Sequence, residues 1–337
     1  MLVPEAIEGV YHVVNRVVDR RMAIGDREKR HFLKLAKAYT AFSGIRMLAW
    51  CIMDNHFHLL LQVPAKTIAP PDETEILRRM AFIYREPHML EFRVLLASCK
   101  DDVAARAKLL APYAQRMGDL AQCMKTLQQR FTQWFNRTHE RTGTLWEDRY
   151  RSTIVEGVDA SGRTSHATRI VAAYIDLNPL RAGIVKDPKD SPWCGYGAAV
   201  RGDKEARSGI EKLWGKDGEE SMAAHRVFLY EEGSEEKARD GKTQDPRTGM
   251  SKARAGIDAA AVRDERQRGG RMPLHVMLRM RVRYMTAGGV IGSKSFVEEV
   301  TGASGDRKPG TLMRRGEWGG LRSLRNLQRS VFGAGSR

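Results

Sequence analysis

The sequence predicts an α+β protein built on a ferredoxin-like (split βαβ) antiparallel sheet with helices on one face. Three observations carry this: a valine-rich run at 9–19, a helical stretch at 26–43, and two strand-like runs, 45–53 and 56–63, joined by Asp54-Asn55. The order strand, helix, strand, strand is the first half of that fold.

The run GVYHVVNRVVD alternates and is rich in a residue type that fits a pleated surface, so it is the first strand. DREKRHFLKLAKAYTAFS opens on Asp26 as N-cap, carries Phe32, Leu35, Ala36 and Tyr39 at helical spacing, and closes at Gly44. IRMLAWCIM is the second strand, and the Asp-Asn pair supplies a tight turn into the third, which Pro64 bounds. From about residue 66 to 140 the pattern is helical, with an insertion assigned to about 66–130. Strand character returns in GTLWEDRYRSTIVEG, 143–157, and a helix follows in SHATRIVAAYIDLN, stopped by Pro179 because the residue before proline disfavours helical torsions.

The chain divides into a domain over 1–200, a charged, partly flexible linker over 201–271, and a small, mostly helical basic module over 272–337. Lys and Arg number 57 against 41 Asp and Glu, and a net charge of +16 attracts polyanions, of which nucleic acid is the commonest in a cytoplasm. No apolar run reaches the ~18–20 residues a membrane span needs. The N-terminus lacks the pattern of a secretory signal. Four cysteines stand far apart with no C-x-x-C pair, which argues against a zinc ribbon or a disulfide framework and for a reducing cytoplasm.

Two stretches carry chemistry. In MDNHFHLLLQV, side chains alternate along a strand, so His56, His58 and Leu60 share one face while Phe57, Leu59, Leu61 and Val63 share the other. Two imidazoles about 6–7 Å apart along a strand can share a divalent cation; they can equally be a hydrogen-bonded polar pair on a half-buried sheet. In RIVAAYIDLNPLRAGIV, Tyr174 and Asn178 lie one helical turn apart on one face, and Asp176 points toward another. A tyrosine among Ile170, Val171 and Leu177 is also an ordinary core residue.

Four blocks taken together, GVYHVVNR, WCIMDNHFHLLLQVP, GTLWEDRYRS and AAYIDLNPLRAGIV, followed by DSPWCGYG, give the chain a family resemblance over residues 9 to about 198. It resembles the single-tyrosine HUH endonucleases, specifically the REP-associated tyrosine transposases and related insertion-sequence transposases. The resemblance implies that His56 and His58 bind Mg²⁺ or Mn²⁺ with Asn178 as third ligand. Tyr174 is then the nucleophile, cutting DNA to leave a 5′-phosphotyrosine link and a free 3′-OH that can reverse the reaction on another strand. The implied partner is single-stranded or hairpin DNA, the implied assembly a monomer or homodimer, and the implied setting a bacterial cytoplasm in association with the nucleoid. Candidate DNA contacts are Arg16, Arg149, Arg151, Arg181 and Trp134, with Tyr150 a further stacking candidate and Trp146 read as core.

Two features depart from the family. The segment between His58 and Tyr174 is long, and VIGSKSFVEEV in the C-terminal extension is either a helix-turn-helix-like DNA contact or a packing module. The rival to a nicking enzyme is a catalytically silent, domesticated hairpin-binding protein. A metal-dependent hydrolase would require additional acidic ligands.

Overall fold

A computed structural model gives the fold and describes residues 8–65, 71–185, 188–233, 242–244, 251–253, 289–302, 317–318 and 321–325. Strand β1 (Gly9–Arg16), helix α1 (Asp26–Ser43), strand β2 (Arg46–Ile52) and strand β3 (His56–Val63) follow the expected order. β3 lies between β1 and β2, antiparallel to both, which is the split βαβ arrangement. Met53 N donates to His56 O at 2.8 Å across the Asp54-Asn55 turn. Gly44 closes α1 at φ 67°, as expected, but the N-cap is Gly25. Asp26 instead begins the helix and accepts a hydrogen bond from Trp193 Nε1 at 2.9 Å.

The expectation of helices on one face does not hold: they cover both. β1, β2 and β3 are buried almost end to end, because a sheet sandwiched between layers needs apolar or satisfied side chains on both sides. On the Phe57 face, α1 and α5 (Leu120–Thr138) close a nest of rings, with Phe32 and Phe57 centred 4.6 Å apart and Phe57 and Trp146 5.4 Å apart. Trp146 is a core residue, as the sequence suggested. Between β3 and α5 come α2 (Glu73–Met80), α3 (Glu86–Ser98) and α4 (Val103–Ala114), which gather around Ile76, Met80, Met89, Phe92, Leu96 and Met117 as a cluster of their own.

The expected strand over 143–157 shortens to β4 (Arg151–Val155), antiparallel to β1. Helix α6 (His166–Asp176), N-capped by Ser165, covers the histidine face of β2 and β3, and a further turn, α7 (Asn178–Arg181), follows. α8 (Gly195–Val200), α9 (Lys204–Trp214) and α10 (Gly218–Gly233) continue on that side. Reading 201–271 as linker therefore fails over 204–233. Ala206, Ile210 and Leu213 form a buried stripe at i, i+4 and i+7 inside a charged sequence, and Leu229 joins them in the main core. Beyond residue 233 of that segment, only the short ladder of β5 (Lys242–Gln244) and β6 (Ser251–Ala253) lies within the described residues.

The helical module expected over 272–337 is also corrected where it is described. β7 (Gly289–Gly292) pairs parallel with β4, and β9 (Leu321–Arg325), with β8 (Glu317–Trp318) beyond it, pairs antiparallel with β7. Among the described residues the sheet thus runs β2, β3, β1, β4, β7, β9, β8. Only α11 (Lys294–Gly302) is helical there, and it packs Val297 and Val300 into the core. Glu156, just after β4, accepts from Ser293 N at 2.9 Å and Ser293 Oγ at 2.7 Å, fastening VIGSKSFVEEV to the sheet as a packing element. The stretch 272–288 and the tail beyond 325 lie outside the described residues. No described helix is long and apolar enough to cross a membrane.

Candidate active site

Antiparallel register places the chemistry. His58 lies opposite Val14 and His56 opposite Arg16, so His56, His58, Arg16 and His12 share one face of the sheet. α6 brings Tyr174 down onto that face. His12 Nε2 and His58 Nδ1 are 3.0 Å apart, the two rings stack at 5.2 Å, and the phenol ring stands edge-on to both, 5.9 Å from His12 and 5.6 Å from His58. His56 is 5.0 Å from His58, ring to ring. Residues more than a hundred positions apart thus meet in one cluster.

Burial governs the electrostatics. Desolvation, aided by Arg16, lowers the His56 imidazole to about 4. His58 is held well below its usual value, again by burial first and then by His56, His12, Arg181 and Arg16. Both rings are neutral at neutral pH and so keep a nitrogen lone pair. Tyr174, 1% exposed, is pushed up to about 12 by burial, against the opposing pull of Arg181 and Arg16. The Arg181 guanidinium lies 4.6 Å from the centre of its ring.

The donor set fits a divalent cation. His56 Nδ1 is 2.6 Å from Asn55 Oδ1, and His58 Nδ1 is 3.0 Å from His12 Nε2, so each ring is anchored through Nδ1 and Nε2 is the nitrogen left to meet a cation. Asn178 Nδ2 donates back to the carbonyls of Tyr174 at 2.9 Å and Ile175 at 3.3 Å, which leaves its carbonyl oxygen as a hard donor. No cluster of three or more His, Cys, Asp or Glu among the described residues is arranged to hold a metal.

The other expected residues divide. Arg16 and Arg181 border the cluster, and Arg151, exposed and directly across from Val14, shares its face. Arg149 is exposed in the turn before β4, where its backbone N–H donates to Asp148 Oδ1 at 2.7 Å. Trp134 is elsewhere: it stacks on His31 of α1 at 3.9 Å, on the Phe57 side of the sheet, because Phe131 and Phe135 of its own helix point into that core. Tyr150 packs against the core, and burial pushes its phenol up to about 12. Asp176 faces away from the histidines, accepting from Tyr196 N at 2.9 Å and lying 3.0 Å from His225 Nε2. Sequence reasoning missed His12, whose signal was a lone histidine inside an otherwise valine-rich strand.

Comparison with known proteins finds a likeness over the first part of this sheet. Residues 6–70, which carry β1, α1, β2 and β3, match the family model described as IS200-like transposases, as the sequence resemblance leads one to expect. Among solved structures, a REP-associated tyrosine transposase bound to a REP hairpin is similar at 13% identity, over 58% of this chain and 80% of that one, with a TM-score of 0.32. No curated protein matches the chain.

Proposed function

We propose that the protein is a metal-dependent, single-strand DNA endonuclease and strand transferase of transposase type, acting on hairpin-associated DNA with Tyr174 as nucleophile. The observation that carries the reading is the convergence of His56, His58 and Tyr174 on one sheet face, flanked by Arg16 and Arg181. His56, His58 and Asn178 would hold the cation, Mg²⁺ or Mn²⁺, which when bound offsets charge developing on the phosphate. Tyr174 Oη attacks phosphorus, the P–O3′ bond breaks, and the departing 3′ oxygen takes a proton. The phenol keeps its proton at neutral pH, so that proton must leave as the new bond forms. Arg181 and Arg16 favour the ionised oxygen and neutralise the phosphate. The free 3′-OH can then attack the phosphotyrosine and regenerate the enzyme.

A second reading has its own observation. Tyr174 is buried, so the phosphate reaches it only when the covering side chains part; a protein that never opens binds hairpins without cutting them. Incubation with labelled hairpin oligonucleotide and Mg²⁺ or Mn²⁺, followed by a denaturing gel, decides between them. The enzyme gives a covalent protein–DNA band that is absent in Tyr174→Phe, whereas the silent binder gives none.

A further inference from the structure

The α1–α5 surface lies on the side of the sheet away from the histidine cluster and has no part in the chemistry above. On α1, Arg27, Arg30 and Lys34 stand at i, i+3 and i+7, and on α5, Arg130, Trp134 and Arg137 stand at i, i+4 and i+7, so each helix carries a cationic stripe along one face. The stripes are joined side by side: Trp134 stacks on His31 at 3.9 Å, and the Arg27 guanidinium lies 5.7 Å from the Trp134 ring centre. All five cations are exposed, and none is paired with a carboxylate among the described residues. The acids of α1 are used elsewhere, Asp26 on Trp193 and Glu28 turned inward to His139 at 3.2 Å, while α5 contains no acid at all. Burial and the field of Lys34 and Arg27 hold the His31 imidazole below its usual value.

We infer that this face binds the phosphate backbone of duplex DNA, a second contact surface distinct from the strand held at Tyr174; the choice of DNA rests on the function proposed above. Each stripe is ~10 Å long and the two lie ~8–10 Å apart, enough to meet several phosphates of a stem or flanking duplex. An anionic membrane is the other polyanion with this charge. None of the large exposed hydrophobic side chains lies on α1 or α5 to enter a lipid surface, which favours DNA.

The test is fluorescence anisotropy of the full chain with a fully paired duplex, titrated with salt, for wild type, Arg27→Ala/Arg30→Ala/Lys34→Ala and the matching Arg→Lys and Lys→Arg variant. The alanine variant should lose roughly tenfold or more in duplex affinity and ~2–3 from the log–log salt slope, and the charge-conserving variant should recover both. Arg130→Ala/Arg137→Ala should act in the same direction. Unchanged affinity and slope in the alanine variants, no duplex binding by wild type, or binding to phosphatidylserine vesicles that the substitutions abolish while DNA binding survives, each overturns the inference. Loss of duplex affinity in a protein that forms no covalent DNA adduct leaves the inference standing and removes the nicking reading instead.

Discussion

His12 is hydrogen-bonded to His58 although it is not among the three residues proposed above to hold a cation. If His58 is to offer Nε2 to a cation, its Nδ1 must carry the proton and donate to His12 Nε2, so His12 selects the tautomer. His12→Phe keeps a ring of similar size in the buried strand but removes the acceptor. The expected result is a Mn²⁺ affinity weaker by about 10–100-fold, measured by calorimetry, with the far-UV spectrum retained. Equal affinity would mean that the contact does not orient His58. Tyr174→Phe removes one oxygen from a residue whose ring sits against His12, His58 and Arg181. Its thermal midpoint should change little, while the covalent DNA adduct disappears; peptide mapping of the wild-type adduct to Tyr150 or Tyr196 would refute the assignment. The histidine pair and the Tyr174–Asn178 turn were legible because strand and helix periods alone put them on shared faces. His12 was not, since its partner lies 46 residues away and only strand register joins them.

At the scale of elements, α6 is held from behind as firmly as from below. Asp176 at its last turn accepts from Tyr196 N and lies 3.0 Å from His225 of α10, which in turn accepts from Trp214 Nε1 at 3.1 Å. This buried chain ties the Tyr174 helix to α8, α9 and α10, the segment that sequence reading took in part for linker. Charge content hid it: three apolar positions in KEARSGIEKLW are enough to seat a helix when the sheet beneath offers a flat apolar face. The fit is close, for a Cβ on Gly209 would lie 2.7 Å from Leu48 O and 2.9 Å from Met47 O. His225→Ala strips a partner from a buried carboxylate and should cost about 3–5 kcal/mol in urea unfolding. A cost near zero would show that α10 is not coupled to α6. The strand β7 was equally hidden, because a run of four residues bounded by glycines acquires its state only from the edge of β4 that it pairs with.

Across the whole molecule several histidines are held below their usual value, and that sets its response to acid. His56 falls to about 4, and His58, His31 and His166 are also lowered, each with burial as the first cause. For a group whose value is lowered on folding, stabilisation is present above the unfolded value, near 6.5 for an imidazole, and is lost as pH falls through the folded one. Glu205, raised by burial, works the other way, since the folded chain takes up its proton before the unfolded chain does. One partly buried carboxyl opposes four imidazoles, two of them at the core of the site, so the balance lies with the histidines. The sequence placed two of these rings on one face and left open a cation-sharing pair or a hydrogen-bonded pair on a half-buried sheet; it is α6, packed on β2 and β3, that covers that face. Unfolding free energy in chelator should therefore decline steadily from pH 7 to 5, before most carboxylates begin to protonate. His56→Gln, which cannot take up the proton in either state, should flatten that decline by the share of one imidazole. A profile that is flat across this range in the unsubstituted protein would mean that water reaches the histidine face, and with it that Tyr174 is open to a phosphate without any movement of α6.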